Sequence, residues 1–164
     1  MSALATHHRT VVLARTFEVP VTRLYAALSL ADERARSASV GEDIHVVLDE
    51  VDFRVGGHDL LRFGPWGHPR FTVLSTYHDI VPERRIVSCD VVSERGTPVS
   101  VAVATIELKP LGHRCQLKLT AQLVALHDPD RLEGADVYYE TLLANLGRYL
   151  ADVVRLDGRP GSVR

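Results

Sequence analysis

The hydrophobic period of the chain changes twice. Residues 10–19 read TVVLARTFEV, a β-branched run that stops at Pro20, and the pattern predicts a strand there. Val21, Leu24, Tyr25 and Leu28 then recur at helical spacing, so a helix is expected over 21–30. A short polar second helix is expected over 31–39, with Gly41 as its stop. Beyond Ile44 the period falls to that of a strand. Strands are predicted near 44–55, 57–63, 70–81, 86–93, 99–109 and 113–126, separated by Gly56-Gly57, GPWGHP, PERR, ERGTP and PLGH. Such short breaks predict antiparallel pairing of sequence neighbours. The helical period returns at the end. Leu132, Ala135, Tyr139, Leu142, Leu143, Leu146, Leu150 and Val153 form one stripe, with Asp130 as expected N-cap and Glu133 in capping-box position.

One strand, two short helices, six strands and a long helix make an α+β domain over 10–156, with a flexible N-terminus at 1–9 and a disordered tail at 157–164. The long apolar stripe needs a surface, and the inner face of a seven-stranded sheet is the large one available. A sheet curls around a helix only if it bends sharply, and Gly56-Gly57 is expected to mark a corner where the strand folds over.

Alternation then assigns faces. Cys115, Leu117, Leu119, Ala121 and Leu123 alternate with polar residues and face the helix. Ala102, Ala104, Ile106 and Leu108 face inward because Glu107 and Lys109 share the opposite parity; two inward alanines leave volume that helix side chains fill or a pocket occupies. Between 45 and 63 the odd positions are expected inward: Val51, Phe53, Val55, Leu61 and Phe63, and with them His45, Asp49 and Asp59. An inward carboxylate needs a partner or water.

Composition narrows the chemistry. The 164 residues are 46% hydrophobic and 24% charged, ordinary for one globular domain. A net charge of −2 gives no electrostatic footprint for nucleic acid, and no basic run points to an anionic membrane. No stretch resembles a signal peptide or a membrane span, so a cytoplasmic location is expected. Cys89 and Cys115 read as two buried, reduced thiols on neighbouring strands. HExxH, P-loop, GxGxxG and nucleophile-elbow motifs are absent, and no histidine pair has metal-ligand spacing, so neither metal nor cofactor is expected. The charged runs ADERARS and PERRIV read as solvated faces.

What remains is a pocket with polar tips. Phe53, Asp59, Leu61, Phe63, Trp66, Tyr77, Ala102, Ala104, Leu119, Tyr139, Leu143 and Leu146 are the expected ligand contacts, with Trp66 overhanging the mouth from the GPWGHP loop. Aromatic bodies with polar ends suit a flat, mostly apolar ligand. Asp59 with Tyr77, or Asp59 with His45, would supply an acid and a base for an aldol-type cyclisation if they approach within hydrogen-bond reach.

The segments RTFEVPVTRLYAAL, DFRVGGHDLLRFG, YHDIVPERRIV and YYETLLANLGRYLAD, in that order, resemble the activator-of-heat-shock-protein-90-ATPase homologue-like branch of the START and birch-pollen-allergen superfamily. The resemblance runs from about Thr10 to Asp152. It implies a helix-grip fold, a curved seven-stranded sheet gripping the C-terminal helix over an apolar cavity. This chain lacks the tryptophan pair that many relatives carry after the first helix. It also has Gly134-Ala135 where many have Gly-Trp. The resemblance implies three functions in descending order: sequestration of a small hydrophobic or aromatic molecule, including resistance to a reactive natural product such as an enediyne; a polyketide cyclase or aromatase; and a chaperone ATPase cofactor. A monomer and a homodimer are both compatible with the sequence.

Overall fold

The strict alternation of β7 (Arg114–Ala125) organises the sheet. Cys115, Leu117, Leu119, Ala121, Leu123 and Ala125 are all buried, and the residues between them are not. The computed structural model describes residues 6–38 and 45–157. β1 (His7–Phe17) pairs with one edge of β7, and β6 (Thr97–Leu111) with the other. β5 (Arg85–Glu94), β4 (Phe71–Val81), β3 (His58–Gly64) and β2 (His45–Val51) follow in a meander. The result is a curved, seven-stranded antiparallel sheet in the order β1-β7-β6-β5-β4-β3-β2. Two short helices, α1 (Val21–Ser29) and α2 (Ala31–Ala38), come after β1, and the long α3 (Ala135–Asp157) closes the chain. This is the helix-grip arrangement.

The core is lopsided. Val11 and Phe17 of β1, Leu24 and Ala27 of α1, Ala102 and Leu108 of β6, the inner face of β7, and Tyr139, Leu143, Leu146, Tyr149 and Leu150 of α3 form one buried cluster. By contrast, β2 to β5 contribute only four buried side chains, those of Asp59, Val73, Tyr77 and Ile86. So α3 packs on one half of the sheet and leaves the other half facing open volume.

Several local expectations are corrected. His7, His8 and Arg9, assigned to a flexible N-terminus, begin β1 and pair with Ala125, Val124 and Leu123. Asp130 and Glu133 do not cap α3. Asp128 accepts from the Asp130 N–H at 3.0 Å and caps a single 3-10 turn, Pro129–Leu132, and Gly134 at φ +77° separates that turn from α3. Cys89 and Cys115 are free, but β6 lies between their strands and Cys89 is only partly buried. The expected stop at Gly41 and the tail beyond Asp157 fall outside the described residues.

The glycine pair is a turn, not a bend in one continuous strand. It ends the β2–β3 connection and docks on β4: the Gly56 N–H donates to the Tyr77 carbonyl at 2.8 Å, and the Tyr77 N–H to the Gly57 carbonyl at 3.0 Å. Gly56 sits at φ +80°. Irregular pairing comes instead at register shifts between Leu48 and Glu50, Tyr77 and Asp79, and Val92 and Ser93. The first of these reverses parity along β2. Leu48 pairs with inward Leu61 and Val51 with inward Asp59, and Asp49 is turned outward, where its carboxylate takes two hydrogen bonds from Arg62 at 2.6 and 2.8 Å. Val55, also expected inward, is 55% exposed in the turn.

Backbone approach at the turn generates a test. A Cβ on Gly57 would collide with the Asp52 carbonyl oxygen and lie 2.8 Å from Asp52 Cγ, whereas one on Gly147 in α3 would meet the Phe17 ring at an ordinary 3.6 Å. Gly57→Ala is expected to destabilise the protein by about 2–3 kcal/mol. Gly147→Ala is expected to stabilise it by about 0.5–1 kcal/mol, the helix-propensity gain. Urea denaturation midpoints of the two variants read both signs.

Candidate functional site

The open half of the sheet and α3 enclose a cavity of about 240 Å³. Its walls come from α1 and α2, from β2 to β7, and from α3. Phe53, Leu61, Tyr77, Ala104, Leu119, Tyr139, Leu143 and Leu146, expected as contacts, all lie on the wall. Four others do not. Ala102 is packed in the core, Phe63 packs its ring 5.4 Å from that of Tyr138, and Asp59 has no accessible surface. Trp66 is 60% exposed and stacks on His45 at 4.1 Å instead of covering the cavity. His45 and Asp59 sit at opposite ends of the β2–β3 hairpin, opposite Gly64 and Val51, so they do not form a pair.

Cross-strand register explains where the cavity becomes polar. On the inner face Asp59, Ser75, Asp90 and Ala102 are successive partners across β3 to β6, and Tyr77, Ser88, Ala104 and Ala121 form the next row across β4 to β7. Ser75, Tyr77, Ser88 and Asp90 therefore cluster on the wall.

Asp59 is the anchor. It is fully buried and accepts from the Tyr77 hydroxyl, from Arg34 Nη2 and, at 3.2 Å through Oδ1, from the Asp52 N–H. The guanidinium supplies the countercharge that a buried carboxylate requires. Arg34 belongs to ADERARS, which is thus not simply a solvated face. The adjacent Glu33 accepts from Arg23 at 3.0 Å and from the Tyr149 hydroxyl at 2.6 Å, tying α2 to α1 and α3. Those two donors outweigh the burial of Glu33 and hold its carboxyl below the usual range. Arg85 of PERRIV does remain exposed, bonded to Asp79 at 2.6 Å.

Asp90 is placed differently. Its carboxylate accepts from Ser88 Oγ at 2.9 Å and from the Ser75 hydroxyl. No cationic side chain among the described residues forms an ion pair with it. Burial pushes its pKa up, the two serines pull it down, and the charge of Asp59 raises it further. Burial likewise raises the phenols of Tyr77, Tyr138 and Tyr139, and Asp90 adds to each. These hydroxyls stay protonated and act as donors. Burial also raises the Cys115 thiol, keeping it unreactive.

Sequence reasoning passed over Arg34, Ser75, Ser88, Asp90 and Asn145. Asn145 is buried on the wall, with its amide oxygen bonded to Arg148 at 2.6 Å. Among the described residues no cluster of three or more His, Cys, Asp or Glu is arranged to hold a metal ion, and no helix is long and apolar enough to cross a membrane.

Two carboxylates on one row give opposite stability tests. Arg34→Ala leaves Asp59 buried without its cation and is expected to cost about 3–5 kcal/mol. At Asp90 the folded state binds its proton more tightly than the unfolded chain, so this group destabilises the fold as pH rises through the elevated pKa. Asp90→Asn is expected to raise the Tm at neutral pH, with the advantage shrinking as pH falls towards the ordinary carboxylate range. Thermal denaturation of both proteins across pH 4–8 checks the sign.

Over residues 18–151 the sequence matches the family described as activator of Hsp90 ATPase homolog 1-like protein. No curated protein matches it. Among solved structures the fold is similar to Mll3558 from Rhizobium loti, at 28% identity over 88% of this chain and 99% of that one, with a TM-score of 0.77. It is also similar to CalU16 from Micromonospora echinospora (17% identity, 93% and 88% of the two chains, TM-score 0.60). DynU16, a protein in the dynemicin biosynthetic locus, shares the fold at 11% identity over 87% of this chain and 47% of that one, with a TM-score of 0.64. The matched segment begins just after β1, ends within α3 and covers well over half of the chain, and the chain belongs to the activator of Hsp90 ATPase homolog 1-like family.

Proposed function

We propose that the protein binds a small, mostly apolar or aromatic molecule in the cavity between α3 and the β2–β5 half of the sheet, and sequesters it. The observation that carries this reading is the lopsided core. Aliphatic and aromatic side chains line a 240 Å³ volume that α3 does not fill, with hydroxyls and a carboxyl gathered at one end. Such a mixture of apolar wall and few polar groups suits a drug-sized ligand or a fragment of one. DynU16, whose fold this chain shares, lies in the dynemicin biosynthetic locus; that supports a natural product as the ligand.

The state of Asp59 and Tyr77 favours sequestration over a cyclase. Both Asp59 oxygens are occupied by donors, and the Tyr77 proton is directed at Asp59 and not into the cavity. A general base must lie within reach of the ligand, and Asp59 has no accessible surface. Asp90 is the carboxyl on the wall from which turnover would have to run.

A thermal-shift panel of polyketides, polyaromatics, sterols and fatty acids, with native mass spectrometry of each hit, tests the reading. At least one class is expected to bind stoichiometrically and raise the Tm. Ala104→Leu, which fills the wall opposite α3, is expected to weaken that binding about tenfold or more. Unchanged affinity in this variant would overturn the central cavity as the site. Release of a converted product would overturn sequestration.

A further inference from the structure

The fold leaves one carboxyl on the cavity wall without a counter-charge. Arg34 is committed to Asp59. Its positive charge bears on the Tyr77 phenol, whereas among the described residues the charge that bears on Asp90 is that of Asp59, of the same sign. Residues 39–44, which follow α2 in the chain, contain no lysine, arginine or histidine to supply a cation. Yet Asp90 is prepared to carry charge. Ser88 Oγ donates to its Oδ1 at 2.9 Å and the Ser75 hydroxyl donates as well, and such donors favour the ionised carboxylate. An apolar side chain at position 90 would complete the wall without the desolvation cost that Asp90 carries.

Asp90 is also open to a ligand. It is half-buried on β5 and lies on the cavity wall, unlike Asp59, which has no accessible surface. Facing it are Asp59 from β3, Ser75 and Tyr77 from β4, and Tyr138 and Tyr139 from α3, with Ser88 on its own strand and Ala102 opposite on β6. The rings of Tyr138 and Tyr139 meet edge to face, 5.2 Å apart, and both residues line the cavity. Aromatic faces attract a cation, the more so away from water. A neutral donor gains from the carboxylate alone, whereas a cation gains from the carboxylate and from the rings.

We infer that Asp90 anchors a basic nitrogen: the cavity takes a lipophilic amine, its apolar body against Leu48, Leu61, Val73 and Leu142 and its ammonium on the Asp90 carboxylate beside the Tyr138 and Tyr139 rings. This rests on the cavity being the binding site and goes further by naming the ligand class. The ammonium brings the charge that the fold withholds from Asp90, and it satisfies the carboxylate with a charge-assisted hydrogen bond. Anionic ligands match the site poorly, since the same carboxylate repels them.

Four naphthalenes test it, substituted at one position with aminomethyl, hydroxymethyl, ethyl or carboxylate. Dissociation constants by calorimetry or competition at neutral pH are expected to rank the amine first, about tenfold or more tighter than the alcohol and the hydrocarbon, with the acid last. Asp90→Asn keeps the shape of the side chain and removes its charge, and it is expected to bring the amine level with the alcohol. The amine's gain is also expected to shrink as pH falls, because protonation of Asp90 removes the charge. It is expected to persist in high salt, which screens surface attraction to a chain of net charge −2. A gain that survives Asp90→Asn, or that vanishes in salt, would overturn the anchor. Equal binding of all four probes, sensitive to Ala104→Leu, would overturn it and leave the cavity reading intact. Binding by none of the four, with a hit in the broader panel, would do the same; no binder in either set would overturn both.

Discussion

A single buried carboxylate holds the open half of this fold together. Asp59 has no contact with solvent, yet it joins three separate pieces of chain: α2 through Arg34, the β2–β3 connection through the Asp52 N–H, and β4 through the Tyr77 hydroxyl. Each contact satisfies a group that burial would otherwise leave orphaned. The Gly56-Gly57 turn is seated by the same assembly, since it hydrogen-bonds the backbone of Tyr77. The ring of Phe53 lies 4.9 Å from that of Tyr77 and beneath the Arg34 guanidinium, so apolar packing and charge converge on one corner. Asp59 thus has a structural part in this corner of the fold.

Around that corner the sheet divides into two regimes. On β1, β6 and β7 most of the inner face packs with α1 and α3 in one apolar cluster, with Ala104, Ile106, Leu117 and Leu119 also reaching the cavity wall. On β2 to β5 the same face looks into the cavity, and its side chains alternate between wall and polar cluster. The difference arises from α3, whose stripe is directed towards the first group of strands. Belonging to the activator of Hsp90 ATPase homolog 1-like family places the fold; what the cavity offers a ligand depends on the side chains that line it.

The packed half was legible from sequence and the open half much less so. β7 could be read because its alternation is unbroken, and β6 because Glu107 and Lys109 fix its outer face. β2 was misread because the irregularity at Asp49 shifts parity without any glycine or proline to mark it. In β5 the run IVSCDVVS is as apolar outside as inside, so alternation carries no sign. Counting back from the ERGTP turn fails as well. Glu94 pairs with Thr97, but the shift between Val92 and Ser93 moves the register by one, placing Asp90 opposite Ala102 and not Val101. Arg34 was hidden for another reason: α2 has no apolar stripe, and nothing local shows that one of its long side chains reaches a buried partner. Of the two partners the sequence offers for Asp59, Tyr77 is the one that meets it, and the filled clamp depends on Arg34, which arrives from a different element.

The lopsided core has a consequence for how such a protein can change. Most of the apolar packing that opposes chain entropy lies on strands that barely border the cavity's polar cluster, while β2 to β5 carry few fully buried side chains. Substitutions at Leu48, Ser75, Ser88 or Asp90 consequently reshape the cavity wall without opening voids in the main cluster. A frame built in this way can be retuned to new ligands by small steps, each tolerated by the stability that the other half holds in reserve.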